Sequence, residues 1–288
     1  MRPFFSFSVF RTLFFYRLFC VCAASSAKNL PMTTPFAPPL TAPDQLLPQL
    51  RDKGFAVLGA ASVAALAGVT LAQLHAWDGD WNDLPPDLYL KDGGRYRRRR
   101  HACFVVEGDQ VTQAPHRAHW QPVEYNALHG GMQRWFEPML AATVSRPAWL
   151  RLMVWLARVS AGLKGERAGR SAAPWYLEAH QFRIDTTDGI GRPTPEGAHR
   201  DGVDLVAVFL VGRQDIKGGE TRVFEAAGPN GQRFTLAEPW SLLLLDDGRM
   251  IHESTPIQPT AAQGHRDTLV VTCRAGGFQG DGVEAQPT

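Results

Sequence analysis

Four cysteines in 288 residues are too few for a disulfide-stapled scaffold. Cys20 and Cys22 fall in the N-terminal leader, which leaves Cys103 and Cys273 in the body, each in a β-like stretch and read as a reduced thiol. No CxxC spacing of a zinc site occurs. Asp and Glu are absent before Asp44, while Arg2, Arg11, Arg17 and Lys28 precede it, so the formal charge of +2 arises in the leader and the remainder is slightly acidic. That balance excludes a broadly basic nucleic-acid-binding protein. Internal repeats and low-complexity tracts are missing, and 44% hydrophobic with 20% charged residues excludes a disordered, collagen-like or coiled-coil chain.

Long apolar runs are also scarce. Residues 1–31 carry seven of the sixteen Phe, but Arg11 and Arg17 interrupt them, and the longest uncharged piece, Leu18 to Ala27, is far short of the roughly 20 residues that span a bilayer. The leader reads either as a poor signal peptide or as a start assigned too early, with Met32 opening the protein; we take the second, which goes with a cytoplasmic protein. Gly54 to Ala76 is uncharged, yet its pattern splits into a strand at Gly54–Leu58 and an amphipathic helix capped by Ser62, with Val63, Leu66, Thr70, Leu74 and Trp77 on one face. No membrane association is expected from it.

The organisation expected is a leader (1–31), a Pro-rich flexible arm (32–49), one domain (50–276) with a β-rich core at 175–275, and a flexible tail (277–288). Helical periodicity is read at Trp135, Phe136, Met139 and Leu140, and again at Trp149, Leu152, Met153, Leu156 and Val159, the latter face being core with a homodimer contact as the alternative. After Pro174 the chain turns to short strands: Tyr176–Ile184, Val203–Val211, Thr221–Glu225, Ser241–Leu245 and Thr268–Cys273. No helix of normal length fits between them, which excludes a βαβ sheet and favours an antiparallel sandwich or barrel. Arg95–His101 is the one dense basic cluster, read as an edge strand or an anion-contacting strand rather than a nucleic-acid patch.

The chemistry centres on His199-Arg200-Asp201 and the later His252. Residues two apart in an extended backbone share a face, so His199 and Asp201 can converge on one metal ion, with His252 from a later strand as third ligand. Two His and one carboxylate leave open positions, the arrangement of non-haem Fe(II) oxygenases. Arg266 begins the last apolar strand, where a guanidinium suits a carboxylate, and Thr268 on the same face adds a hydroxyl. Gln181 and Arg183 share a strand face and are candidate substrate contacts, whereas His180 reads as structural and Asp246-Asp247 as a turn. His116, His119 and His129 show no metal-ligand spacing. The alternative is a cupin-like metal-binding module without oxygenase activity, which needs no cosubstrate arginine.

Ala179–Ile184, Pro195-Glu-Gly-Ala-His-Arg-Asp-Gly202, Gly218-Gly-Glu220, Asp246-Asp247 with His252, and His265-Arg-Asp-Thr-Leu-Val-Val271 resemble, over residues 95–275, the bacterial 2-oxoglutarate/Fe(II) dioxygenases of the free L-amino acid hydroxylase (L-isoleucine 4-hydroxylase) type. The resemblance implies an α+β, mainly β fold: a double-stranded β-helix (jelly-roll) core with flanking N-terminal helices. It implies Fe(II) held by His199, Asp201 and His252, 2-oxoglutarate anchored by Arg266, O₂ as co-reactant, ascorbate as the reductant in vitro, and a small-molecule partner that gains a hydroxyl as succinate and CO₂ are released. The leader and Pro-rich arm are outside the resemblance.

Overall fold

The computed structural model describes residues 36–165 and 173–282, and Pro35–Thr288 form one unit. The expectations for residues 1–31 lie outside the described part. In chain order the elements are a 3-10 turn Pro43–Gln45, α1 (Leu46–Lys53), β1 (Phe55–Leu58), α2 (Ala60–Ala67), α3 (Leu71–His75), a second 3-10 turn Asp78–Trp81, β2 (Arg97–Glu107) and β3 (Gln110–Gln113). Then come α4 (Ala141–Val144), α5 (Pro147–Leu163), β4 (Trp175–Asp185), β5 (Leu205–Gln214), β6 (Ile216–Gly218), β7 (Thr221–Glu225), β8 (Gly231–Phe234), β9 (Leu242–Asp246), β10 (Met250–Ser254), β11 (Ile257–Pro259) and β12 (His265–Ala275).

A seven-stranded sheet runs β1-β9-β5-β12-β4-β2-β3; β10-β7-β8 and β11-β6 form smaller sheets, and every pairing between these strands is antiparallel. This is the double-stranded β-helix, flanked by helices that all precede β4 in the chain. The large sheet is buried on both faces except at its edge strand β3, which is largely exposed. On β12, Leu269, Val271 and Cys273 join the core under α5, while Arg266, Thr268, Val270 and Thr272 face a cavity on the other side. The same period-2 alternation puts Leu242 and Leu244 of β9 in the helix-side core and Leu243 and Leu245 against Val223, Phe234 and Met250 of the small sheet.

The helix-side core is anchored by aromatics. Trp77 meets Trp149 and Trp240 edge-on at centroid distances of 5.7 and 5.4 Å, and Trp81 meets Trp240 at 6.3 Å. Each such pair contributes about 0.5–1.5 kcal/mol beyond its burial. Two indole N–H groups are satisfied: Trp240 donates to Asp78 at 2.9 Å and Trp81 to the Thr268 carbonyl at 3.1 Å. The face of α5 with Trp149, Leu152, Met153, Leu156 and Val159 is core, as read from its periodicity.

Several local expectations are corrected. The helix expected across Ser62–Trp77 breaks at Gly68, where φ is +67°; α2 is capped by Gly59, and Thr70 starts α3 in a reciprocal capping box with Gln73. No single helix among the described residues is long and apolar enough to cross a membrane. Trp135–Leu140 is not helical, because backbone pairing of His101 with Glu137 and Met139 draws it alongside β2. The arm is not free over its second half: Thr41 N–H bonds the Val57 carbonyl at 2.7 Å, and Leu46 and Leu50 are buried. The tail is likewise docked at its start, with Phe278 and Gln279 buried. Cys103 and Cys273 are free and buried.

Candidate active site

His199 lies in the loop before β5 and His252 in the middle of β10. Their backbones exchange two hydrogen bonds, 3.0 and 2.9 Å, which sets the imidazoles side by side with centroids 4.6 Å apart. Asp201 completes the group: one carboxylate oxygen is 3.9 Å from His199 Nε2 and the other 3.9 Å from His252 Nε2. One donor atom from each of the three lies within 4.8 Å of the others.

The surroundings aim these atoms. His199 Nδ1–H donates to the Gly197 carbonyl at 2.9 Å, which leaves Nε2 as the lone pair facing Asp201. Gln121 Nε2 donates to Asp201 Oδ1 at 3.0 Å, and its own carbonyl accepts from Asn126 and Arg134 at 3.0 and 2.9 Å. Asp247 accepts the backbone N–H of Asp201, Gly202 and Val203. Gln279 donates to the carbonyls of Asp201 and Gly202 at 2.8 Å each. At Gly202 φ is +77°, and a Cβ there would lie 2.5 Å from the Tyr125 ring, so the turn admits only glycine.

The electrostatics suit a cation. Burial and the neighbouring Asp201 carboxylate push the Asp247 carboxyl up to about 6. Burial also raises Asp201, against the pull of His199. Burial opposes charge on His199, but Asp201 and Glu196 outweigh it and raise that imidazole. His252 is held neutral by burial and by His199, and its buried Nδ1 has no hydrogen-bond partner. Two imidazoles and one buried carboxylate with facing lone pairs form a donor set for a divalent first-row metal with open positions.

Arg266 and Thr268 line the same cavity, of about 120 Å³, as His199, Asp201 and His252. Arg266 is 4% exposed, its Nε has no hydrogen-bond partner, and no carboxylate among the described residues forms an ion pair with it. Burial, then the nearby Arg213, pull it down to about 10. Gly218 and Gly219 turn with φ of +79° and +69°, and Gly219 packs beside the aliphatic stem of Arg266, a Cβ there standing 3.6 Å from Cδ. A buried cation without a counter-ion is costly unless an anion joins it.

Gln181 and Arg183 are not in the cavity. The alternation of β4 sends His180, Phe182 and Ile184 inward, and Arg183 instead pairs with Asp267 at 2.8 and 2.7 Å and with Asn82 at 3.0 Å. Substrate contact by those two residues is therefore corrected: both faces of β4 are covered, and the inward one is the other. His119, His129 and His180 do line the cavity, although their spacing carried no sign of it. Glu178 Oε2 accepts from His119 Nδ1–H and His101 Nε2–H at 2.8 and 3.1 Å, and Arg99 donates to His180 Nδ1 at 2.7 Å. Within this network burial pulls His119 down to about 3 and lowers His101 and His180, while Glu178 is lowered because the two imidazoles outweigh its burial. Gln121, Asn126, Asp247 and Gln279 were not legible as site residues.

A family model for 2OG-Fe dioxygenases matches residues 78–272. A solved BsmA homologue of Methylobium petroleophilum is 53% identical, with 84% of this chain and 97% of that one covered at a TM-score of 0.78. The chain belongs to the 2OG-Fe dioxygenase family. At the level of fold alone it is similar to IDO of Bacillus thuringiensis, with 16% identity, 82% and 97% covered and a TM-score of 0.62. It is similar in the same sense to the Fe(II)/α-ketoglutarate-dependent dioxygenase TqaL, with 20% identity, 83% and 89% covered and a TM-score of 0.62. No curated protein matches the chain. Family membership implies an oxidoreductase with Fe(II) as its metal and 2-oxoglutarate and O₂ as its co-reactants.

Proposed function

We propose that this protein hydroxylates a small molecule, a free L-amino acid, with His199, Asp201 and His252 holding Fe(II) and Arg266 with Thr268 holding the distal carboxylate of 2-oxoglutarate. The observation that carries the reading is the buried, unpaired guanidinium of Arg266 in the cavity of the His199–Asp201–His252 group. A dicarboxylate cosubstrate with one end on the metal supplies the missing anion. When bound, iron and 2-oxoglutarate together supply the oxidising power, with succinate and CO₂ as by-products.

The protein's part is positional. Gly197 and Gln121 fix the donor atoms of His199 and Asp201. Thr268, on the inward face beside Arg266, offers a hydroxyl to the same carboxylate. Phe182, Ile184, Val208 and Val270 line the cavity with apolar surface that excludes water from the reacting centre. No side-chain nucleophile is needed. The cavity, lined by the large sheet and by β10, suits a small substrate; the basic stretch from Arg95 turns Arg97 and Arg99 inward rather than toward a polymer. The cytoplasm is the compartment proposed with it, as are the absence of nucleic-acid and membrane partners.

The test is succinate release by the full chain with Fe(II), ascorbate, 2-oxoglutarate and a panel of free L-amino acids, with mass spectrometry for the gain of one oxygen. Substrate-dependent succinate with an equimolar hydroxylated amino acid is expected. Iron-loaded protein that consumes no 2-oxoglutarate would overturn the reading in favour of a metal-binding module.

A further inference from the structure

The cavity has a second cationic region. Arg266 of β12 and Arg97 of β2 pair from opposite sides with Ile184 of β4, so their Cα atoms are about two strand spacings, roughly 10 Å, apart on the same inward face. Arg99 stands two residues on, and Arg134 enters from the loop beside β2. All three arginines line the cavity and are at most 5% exposed. Arg99 is clamped between Phe136 and Phe182, with its guanidinium 3.6 and 4.3 Å from their ring centroids. Arg97 donates one bond to Asp87 at 2.7 Å and Arg134 one to Gln121 at 2.9 Å. Arg97 Nη2 and Arg134 Nε remain buried without partners among the described residues.

The opposite sign is present too. Glu196, three residues before His199, has one oxygen 3.6 Å from His199 Nε2, while its buried Oε2 has no donor among the described residues, and its field reaches Arg134 and His129 as well. Asp87 is already engaged by Arg97, and Glu178 by His101 and His119, so neither is free for a ligand. The hydrogen-bonding positions left open at this end of the cavity are of both kinds: N–H groups on Arg97 and Arg134 and an acceptor on Glu196. A simple anion would leave Glu196 unsatisfied, and a simple cation would leave the arginines so. The matching ligand is neutral overall and carries both charges.

We infer that Arg97 and Arg134 bind the α-carboxylate of a free amino acid and that Glu196 binds its ammonium, so that the enzyme reads the zwitterion and rejects a substrate blocked at either end. This rests on the proposed amino acid hydroxylase reading. It goes beyond that reading in assigning the groups that recognise the backbone of the substrate and in excluding peptidyl substrates.

The test compares the free L-amino acid turned over best in the panel with its carboxamide, its N-acetyl derivative and its 2-hydroxy acid. Turnover and calorimetric titration without O₂ are measured on the full-length wild type and on Glu196→Gln. Wild type is expected to lose at least about 100-fold in kcat/KM on each modified compound. Glu196→Gln is expected to bind the amino acid at least tenfold more weakly, to discriminate far less between it and the hydroxy acid, and to keep its KM for 2-oxoglutarate. A wild type that accepts the carboxamide or the N-acetyl derivative within threefold overturns the inference alone, as does a Glu196→Gln protein that binds the amino acid like wild type. A wild type that neither binds nor oxidises any free amino acid removes the hydroxylase reading and the inference with it.

Discussion

The carboxylate of Asp247 holds Asp201 in place through the backbone: Oδ1 accepts the Asp201 N–H at 2.9 Å, and Oδ2 accepts those of Gly202 and Val203 at 2.7 and 3.0 Å. Asp247 follows β9 directly, so a rigid strand end fixes the loop that carries two of the three metal-donor residues. Asp247→Ala leaves three N–H groups without their acceptor, at about 1–3 kcal/mol for each one that stays buried. Titration of the metal-free protein with Fe(II) under anaerobic conditions is expected to show affinity reduced about 10- to 100-fold. Asp247→Asn, which keeps one acceptor oxygen, is expected to fall between. Unchanged affinity in Asp247→Ala would mean that the loop is held by other contacts, of which Gln279 is the first candidate.

Arg266 predicts opposite effects on stability and on function. Its buried cation has no ion-pair partner among the described residues, so Arg266→Met is expected to raise the melting temperature of the metal-free, cosubstrate-free protein by a few degrees. The same substitution is expected to raise KM for 2-oxoglutarate at least about 100-fold and to abolish stabilisation by added 2-oxoglutarate. A lower melting temperature with unchanged KM would assign Arg266 a packing role.

Gly202 combines φ of +77° with a Cβ position 2.5 Å from Tyr125 and 2.7 Å from Gln279 Nε2. Gly202→Ala is expected to destabilise the fold by about 1–3 kcal/mol through backbone strain and crowding together. Urea unfolding checks this through a lower midpoint at an unchanged slope.

Acid is expected to destabilise the protein starting near neutrality. His119 is at about 3 in the folded protein and near 6.5 when unfolded. Between those values the unfolded chain binds a proton that the folded one refuses, so stability is lost as pH falls, by about 1.4 kcal/mol per pH unit for each such proton. His101 and His180, lowered by burial, add to the slope, and Glu178, also lowered, acts in the same direction below about 4.5; Asp247, raised to about 6, opposes it below that pH but is outnumbered by the three imidazoles. Urea unfolding of the metal-free protein at pH 7, 6 and 5 is expected to show this decline, and His119→Gln to reduce its slope by up to one proton. Stability that rises toward pH 5 would contradict the neutral histidine network.

Thr221–Glu225, Ser241–Leu245 and Thr268–Cys273 are legible because short β-branched and apolar runs are bounded there by Gly, Pro, Asn and Asp, whereas β8, β10 and β11 between them mix polar with apolar residues and are not. The structure keeps Thr221–Glu225, shifts the second run by one residue and lengthens the last to His265–Ala275. Arg266 and Thr268 were read correctly as sharing a face, since the period of a strand is two whatever it packs against. The same rule places Gln181 and Arg183 on one face of β4, but it is the opposite face that meets the cavity. β4 is covered on both sides, and polarity along a doubly buried strand does not say which face meets the site. The short α2 and α3 were merged because the apolar spacing continues across Gly68, and only its left-handed backbone shows the break.

By itself the sequence determined the antiparallel β-rich class, the HxD and later His as a group, and a single arginine at the start of the last strand, because these are properties of local spacing and residue chemistry. The tertiary structure alone decided that Gln121, Asp247 and Gln279 converge on Asp201 and that Arg97, Arg134 and Glu196 open onto the cavity holding Arg266. Gln121 and Gln279 lie 80 and 78 residues from Asp201 along the chain. No local pattern links residues so far apart; they meet because hydrophobic burial on both faces of the large sheet closes the two sheets around one cavity, and the polar groups left inside must satisfy one another or a ligand.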